Sequence, residues 1–110
     1  MQMAASIALS HHERWDGSGY PEKLHGRHIP IEARIVMLAD QYDALRSPRA
    51  YKPPFDHMTT FEILTCGDRI TRPEHFDPDV LDAFKRADKK FAKIYEKESN
   101  VVKKGDLMYE

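Results

Sequence analysis

Prolines divide this chain into the segments it can fold. Pro30 stands where an apolar helical period begins, and a proline at a first helical position costs little because its missing donor would be unpaired there anyway. Ile31, Ile35, Leu38, Ala39, Tyr42 and Leu45 form the stripe that predicts a helix from Pro30 to about Leu45. Ser47-Pro48 ends it, and Pro53-Pro54 keeps the following segment extended. Pro78, with Asp77 as its cap, opens another helix, along which Leu81, Phe84, Asp88, Phe91 and Tyr95 recur at helical spacing. Val80, Ala87 and Ile94 widen that stripe. Thr59-Thr60-Phe61-Glu62 fits a capping box, so a third helix is expected from near Thr59 to a stop at Gly67. Met3, Ala4, Ile7 and Ala8 share one face of an opening helix over about Met3 to Glu13. No convincing strand pair is present, so the expected fold class is all-α. A long turn-rich loop, Trp15 to Pro30, carries Gly17, Gly19, Gly26 and Pro21.

The chain has 110 residues, enough for one domain or part of one. It is 41% hydrophobic and 32% charged, and it has no apolar run near the ~18 residues a spanning helix needs. A membrane span is therefore not expected. Seventeen basic residues against 18 acidic ones give a net charge of -1, which argues against a simple polyanion-coating protein. Lys85, Arg86, Lys89, Lys90, Lys93 and Lys97 read as the solvated face of the last helix. The single Cys66 excludes an intramolecular disulfide and favours a reducing compartment. With no signal peptide read at Met1-Gln2-Met3, a cytoplasmic location is expected.

Several residues could carry chemistry. His11 and His12 are adjacent at the close of the first helix. Neighbours on an undistorted helix diverge by roughly 100°, so one ion cannot easily take both. A bare His-His pair is more often a satisfied core histidine beside a surface one. Asp40 falls nearly opposite the apolar stripe of the second helix, on a side shared with Asp43, and spacing alone favours solvated carboxylates there. The functional reading makes that side a wall of a metal cleft, since imidazole nitrogen and carboxylate oxygen together suit iron, manganese or zinc. Gly17 and Gly19 allow close approach of backbone to a ligand, and Tyr20 offers a ring face and a hydroxyl. Arg49 and Lys52 could bind phosphate. Each of these features, taken singly, has an ordinary structural explanation.

Their combination is far more specific. His11-His12-Glu13-Arg14-Trp15-Asp16-Gly17-Ser18-Gly19-Tyr20-Pro21 closely resembles the HHE and GYP signature of HD-GYP domains. Ile29-Pro30, Ala33-Arg34-Ile35, the run Ala39 to Leu45, Arg49 to Lys52 and Phe76-Asp77-Pro78 follow in that family's order. The resemblance spans roughly residues 3 to 96. It implies an HD-superfamily helical bundle with a divalent metal centre, iron or manganese, that hydrolyses the bacterial second messenger cyclic di-GMP to a linear dinucleotide or GMP. By the same resemblance His11, His12 and Asp40 match metal ligands. Tyr20, Arg49 and Lys52 match nucleotide contacts, and Asp43 matches a recurrent position that could support the ligands. The metals would hold a phosphodiester and activate water for in-line attack. The family's GYP loop is associated with diguanylate cyclase partners, and its domains often stand behind receivers in response regulators.

The sequence departs from the family pattern at one place. It contains no adjacent His-Asp pair, whereas the family's namesake dyad precedes the HHE motif. Residues 1–98 are therefore expected to be the C-terminal part of an HD-GYP domain, with 99–110 an irregular tail. Further ligands would have to come from His25, His28, His57 or a second chain. A partial bundle of this kind is expected to form a homo-oligomer or domain swap through the apolar face of the first helix. The competing expectation is a degenerate, non-catalytic module that contacts signalling proteins in a response regulator.

Overall fold

The computed structural model describes residues 2–48 and 53–108, with side chains through residue 98. Among these residues are four α-helices and no strand: α1 (Gln2–Ser10), α2 (Ile31–Arg46), α3 (His57–Cys66) and α4 (Pro78–Met108). Short 3₁₀ turns occur at Gly26–His28 and Pro73–His75. Helix α2 packs against α1, α3 and α4, and α3 also packs on α4. The all-α expectation holds.

Helix boundaries follow local chemistry. Asp77 is buried, and its Oδ1 accepts the Asp79 amide at 2.8 Å, so it caps α4 as expected. At α3 the cap is Asp56, not Thr59: its Oδ1 accepts the Thr59 amide at 2.8 Å. An aspartate three residues earlier takes the first orphan donors, and Thr59 is carried inside the helix. These bonds from Thr59 hold the exposed Asp56 carboxyl below its usual range. Gly67 ends α3 at φ +92°, a backbone region open to glycine and strained for other residues. Helix α4 continues through residues 99–108, where the sequence shows no period. No proline interrupts that stretch, and each added residue contributes one further backbone bond.

The core joins Leu38, Tyr42 and Leu45 of α2 to Ile63 and Leu64 of α3 and to Leu81 and Phe84 of α4, with Phe76 before it. Two of the six residues of the stripe expected on α2 behave otherwise. Ile31 and Ile35 are 49% and 51% exposed, while Ala33 and Met37 are buried. Helix α2 has neighbours on more than one side, so its buried surface is broader than one stripe and turned from the one expected. Ile35 instead edges an apolar hollow of about 350 Å³ with Val80, Phe84 and Phe91.

A directional hydrogen-bond chain ties three helices together. Arg46 Nη1 donates to Tyr42 Oη at 2.6 Å, and Tyr42 Oη is 2.9 Å from His57 Nδ1. His57 Nε2 is 2.9 Å from Asp88 Oδ2. A carboxylate accepts only, so Nε2 carries the proton when the imidazole is neutral. The phenol then donates to Nδ1. Burial pushes the Tyr42 hydroxyl above its ordinary value, partly offset by Arg46.

Candidate functional site

Helix α1 ends at Ser10, one turn before the expected Glu13, and the chain turns there with Glu13 N donating to Ser10 O at 3.0 Å. His11 and His12 therefore lie in a turn, free of the divergence a regular helix would impose. Their ring centroids are 4.0 Å apart, tilted by 41°. His11 Nδ1 lies 2.8 Å from Ile7 O. A carbonyl can only accept, so in the neutral imidazole Nδ1 carries the proton and Nε2 keeps its lone pair. A metal-binding imidazole is typically fixed in this way.

His12 is exposed and stacks on Tyr20, with centroids 4.8 Å apart and planes at 15°. His11, His12, Arg14, Tyr20, Met37 and Gln41 line a cleft of about 210 Å³. The motif's opening and closing ends thus meet at one wall. Asp40 is exposed on α2 and does not border this cleft, whereas its neighbour Gln41 does. Among the described residues, no three His, Cys, Asp or Glu side chains are grouped so that they could hold a metal ion. Asp43 borders a separate hollow with Tyr42, Phe91 and Tyr95. Arg49 and Lys52 lie outside the described residues. Of the further histidines, His57 is engaged with Tyr42 and Asp88, while His25 and His28 are exposed.

The loop is held against the segment from His12 to Arg14. Tyr20 N donates to His12 O at 3.2 Å. Glu13 is 2% exposed, and its two carboxylate oxygens accept the amides of Glu22 and Leu24, each at 2.9 Å. Gly19 leaves no room for a side chain: a Cβ there would fall 2.5 Å from Arg14 N and closer still to His12 O. Asp16 closes a small turn by accepting the Ser18 hydroxyl at 2.6 Å and the Ser18 amide at 2.9 Å. Burial alone would raise the Asp16 carboxyl, but these bonds outweigh it and hold it below the usual value.

Below the loop, Trp15 N donates to His75 O and Gly26 N to Trp15 O. Arg34 joins this base to α4. Its Nε donates to Ile29 O at 2.9 Å, its Nη1 to Asp77 Oδ2 at 2.7 Å, and its guanidinium lies 5.7 Å from the centre of the Trp15 ring. Burial, and then the nearby Arg14, push the His75 imidazole below its ordinary 6.5, with Asp16 opposing. The unfolded chain therefore takes up this proton at higher pH than the native one. Stability present in full above about pH 6.5 is lost as pH falls through the native value. His75→Asn, which keeps an acceptor for Arg72 N, is expected to flatten that part of the curve. Urea midpoints at about pH 7.5 and 5 check this, and an unchanged slope would count against it.

Two supports of the site were not found from sequence. Glu13 was visible only as a letter of the motif, although a carboxylate beside a loop rich in free amides is a usable signal. The Arg34–Asp77 pair gave none.

Comparison with known proteins agrees with this architecture. An HD domain family model matches residues 1–80. A "Cyclic di-GMP phosphodiesterase" of Vibrio cholerae is 47% identical over 94 residues, covering 86% of this chain and 18% of that protein. The "Cyclic di-GMP phosphodiesterase response regulator RpfG" of Xanthomonas campestris is 48% identical over 86 residues, covering 78% of this chain and 22% of its own length. A "3'3'-cGAMP-specific phosphodiesterase 2" of Vibrio cholerae is 45% identical over 83 residues, covering 74% of this chain and 15% of its own. The chain belongs to the HD domain family, and its HHE and GYP motifs fit the HD-GYP members. It spans only about a fifth of the length of the first two of these relatives, 18% and 22%. Among the described residues, no helix is long and apolar enough to cross a membrane.

Proposed function

We propose that this chain supplies part of the active site of a metal-dependent phosphodiesterase acting on a cyclic dinucleotide, with cyclic di-GMP as the substrate. The observation that carries the reading is the His11 imidazole, whose proton is committed to Ile7 O and whose remaining nitrogen is a free donor beside His12 and Tyr20. By type, imidazole and carboxylate donors suit a divalent ion such as iron or manganese. His11 and His12 would supply two donors from the cleft wall; Asp40 stands outside that cleft and would have to turn toward it to join them, and the remaining ligands would come from outside the described residues. When bound, such an ion polarises a phosphoryl oxygen and lowers the pKa of water.

The chain's own residues do the rest. Tyr20 offers its open ring face, 59% exposed overall, to a nucleobase. Arg14 adds positive charge at the cleft wall, and Gln41 offers both a donor and an acceptor there. Arg49 and Lys52 would steady a second phosphate. Asp43, in its separate hollow, would act only through α2. Relatives named for cyclic di-GMP and for 3'3'-cGAMP make the base the finer question.

The test is chromatography of products after incubating the full-length protein, loaded with Mn(II) or Fe(II), with each dinucleotide. The expected result is linear dinucleotide or GMP from cyclic di-GMP. Both dinucleotides recovered intact would refute the reading and favour a non-catalytic signalling module. Contact with diguanylate cyclase domains through the exposed GYP loop belongs to this same proposal, as do a cytoplasmic setting and a place in a response regulator. Self-association rests on α1, where Met3 and Leu9 are 63% and 58% exposed. Light scattering at micromolar concentration would read it, and a clean monomer would argue against it.

A further inference from the structure

We propose that Glu13 is a positioning residue of the cleft: by holding the amides of Glu22 and Leu24, its buried carboxylate keeps Tyr20 stacked on His12. The inference rests on the cyclic-dinucleotide reading only for the ligand it names. A carboxylate that is 2% exposed is expensive to keep unless its oxygens are paired, and here each oxygen takes a backbone amide at 2.9 Å. Those amides lie just beyond Tyr20. On the other side of Tyr20, Gly19 lies against the backbone of residues 12–14, and Tyr20 N reaches His12 O. The loop is therefore fastened on both sides of one aromatic residue, and both fastenings run to the segment next to His12.

The Tyr20 ring itself is largely exposed, so its place over the imidazole comes from the loop backbone more than from burial. Two amides converging on one buried side chain are each satisfied when it carries two acceptor oxygens. Glutamine provides one and sets an N–H against the other amide. Glu13 need not touch a ligand to act. It sets where the ring stands, and the ring sets what can lie beside His12.

Hydrogen exchange and cyclic di-GMP affinity, both measured on the full-length protein, test this. In Glu13→Gln the amides of Glu22 and Leu24 are expected to exchange at least about tenfold faster, while core amides such as Leu64 keep their rates. Tyr20→Ala is expected to leave the Glu22 and Leu24 amides protected. Both single variants are expected to weaken cyclic di-GMP binding, and Glu13→Gln is expected to add little further loss in a Tyr20→Ala background. Unchanged exchange at Glu22 and Leu24, loss of protection throughout the core, or additive losses of affinity would each overturn the proposal. If the parent protein binds no cyclic di-GMP, the functional reading fails, and the exchange result alone decides the clasp.

Discussion

Gly19→Ala is expected to cost about 3 kcal/mol, near the top of the range for overpacking, because the atoms in the way are backbone. The added methyl would meet His12 O, Arg14 N and Glu13 Cα, none of which can rotate aside. Glycine is required here for space: its φ is not among the positive values found at Gly17, Gly26 and Gly67. Relief would come from lifting the loop, which separates Tyr20 from His12 and draws Glu22 and Leu24 away from Glu13. Thermal melting and hydrogen exchange would report the two parts of this effect. A Gly19→Ala protein with the parent melting temperature and a protected 20–24 segment would contradict it.

Arg34→Ala is expected to have the other large effect, about 3–5 kcal/mol, as found when one partner of a buried ion pair is removed. Asp77 is 3% exposed, and its Oδ2 would lose the Arg34 guanidinium at 2.7 Å. The same side chain also holds Ile29 O and covers Trp15, so the loop base, α2 and α4 would loosen together. Asp77→Asn keeps an oxygen for the Asp79 amide but sets an amide N–H group toward Arg34. Combining Arg34→Ala with Asp77→Asn should recover part of the loss, because no unpaired charge is then left buried. Urea denaturation of the four proteins forms the cycle. Strict additivity, or an Arg34→Ala cost below about 1 kcal/mol, would show that the pair is not coupled as described.

How much of this was readable in advance depends on the range of each interaction. The Asp77-Pro78 start of α4 and the Gly67 stop of α3 are local chemistry, and both stand as expected. The α3 start was misplaced because two local signals compete. Asp56 reaches the Thr59 amide first, so the Thr59-x-x-Glu62 pattern never serves as a cap. Ile31 and Ile35 mislead because periodicity identifies a face but not its neighbours, and α2 packs on three helices. Arg34 and Asp77 are 43 positions apart, and only the assembled fold brings them together.

The candidate site divides along the same line. His12 and Tyr20 belong to one short motif, and their rings stack. The helix expected to reach Glu13 ends at Ser10, so the divergence of neighbours on an undistorted helix does not govern His11 and His12. Asp40 depends on the rotation of α2, and it stands exposed outside the cleft that Gln41 lines. Glu13 supports the loop through bonds to backbone amides, which a sequence does not display.

The central proposition is that His11, His12 and Asp40 serve a common metal centre. Metal content of the purified full-length protein, compared with His11→Ala, His12→Ala and Asp40→Asn, tests it most directly. The expected result is bound iron or manganese in the parent, with affinity reduced by at least about 10–100-fold in each variant while the helical content is kept. Unaltered metal binding in all three variants would contradict the account.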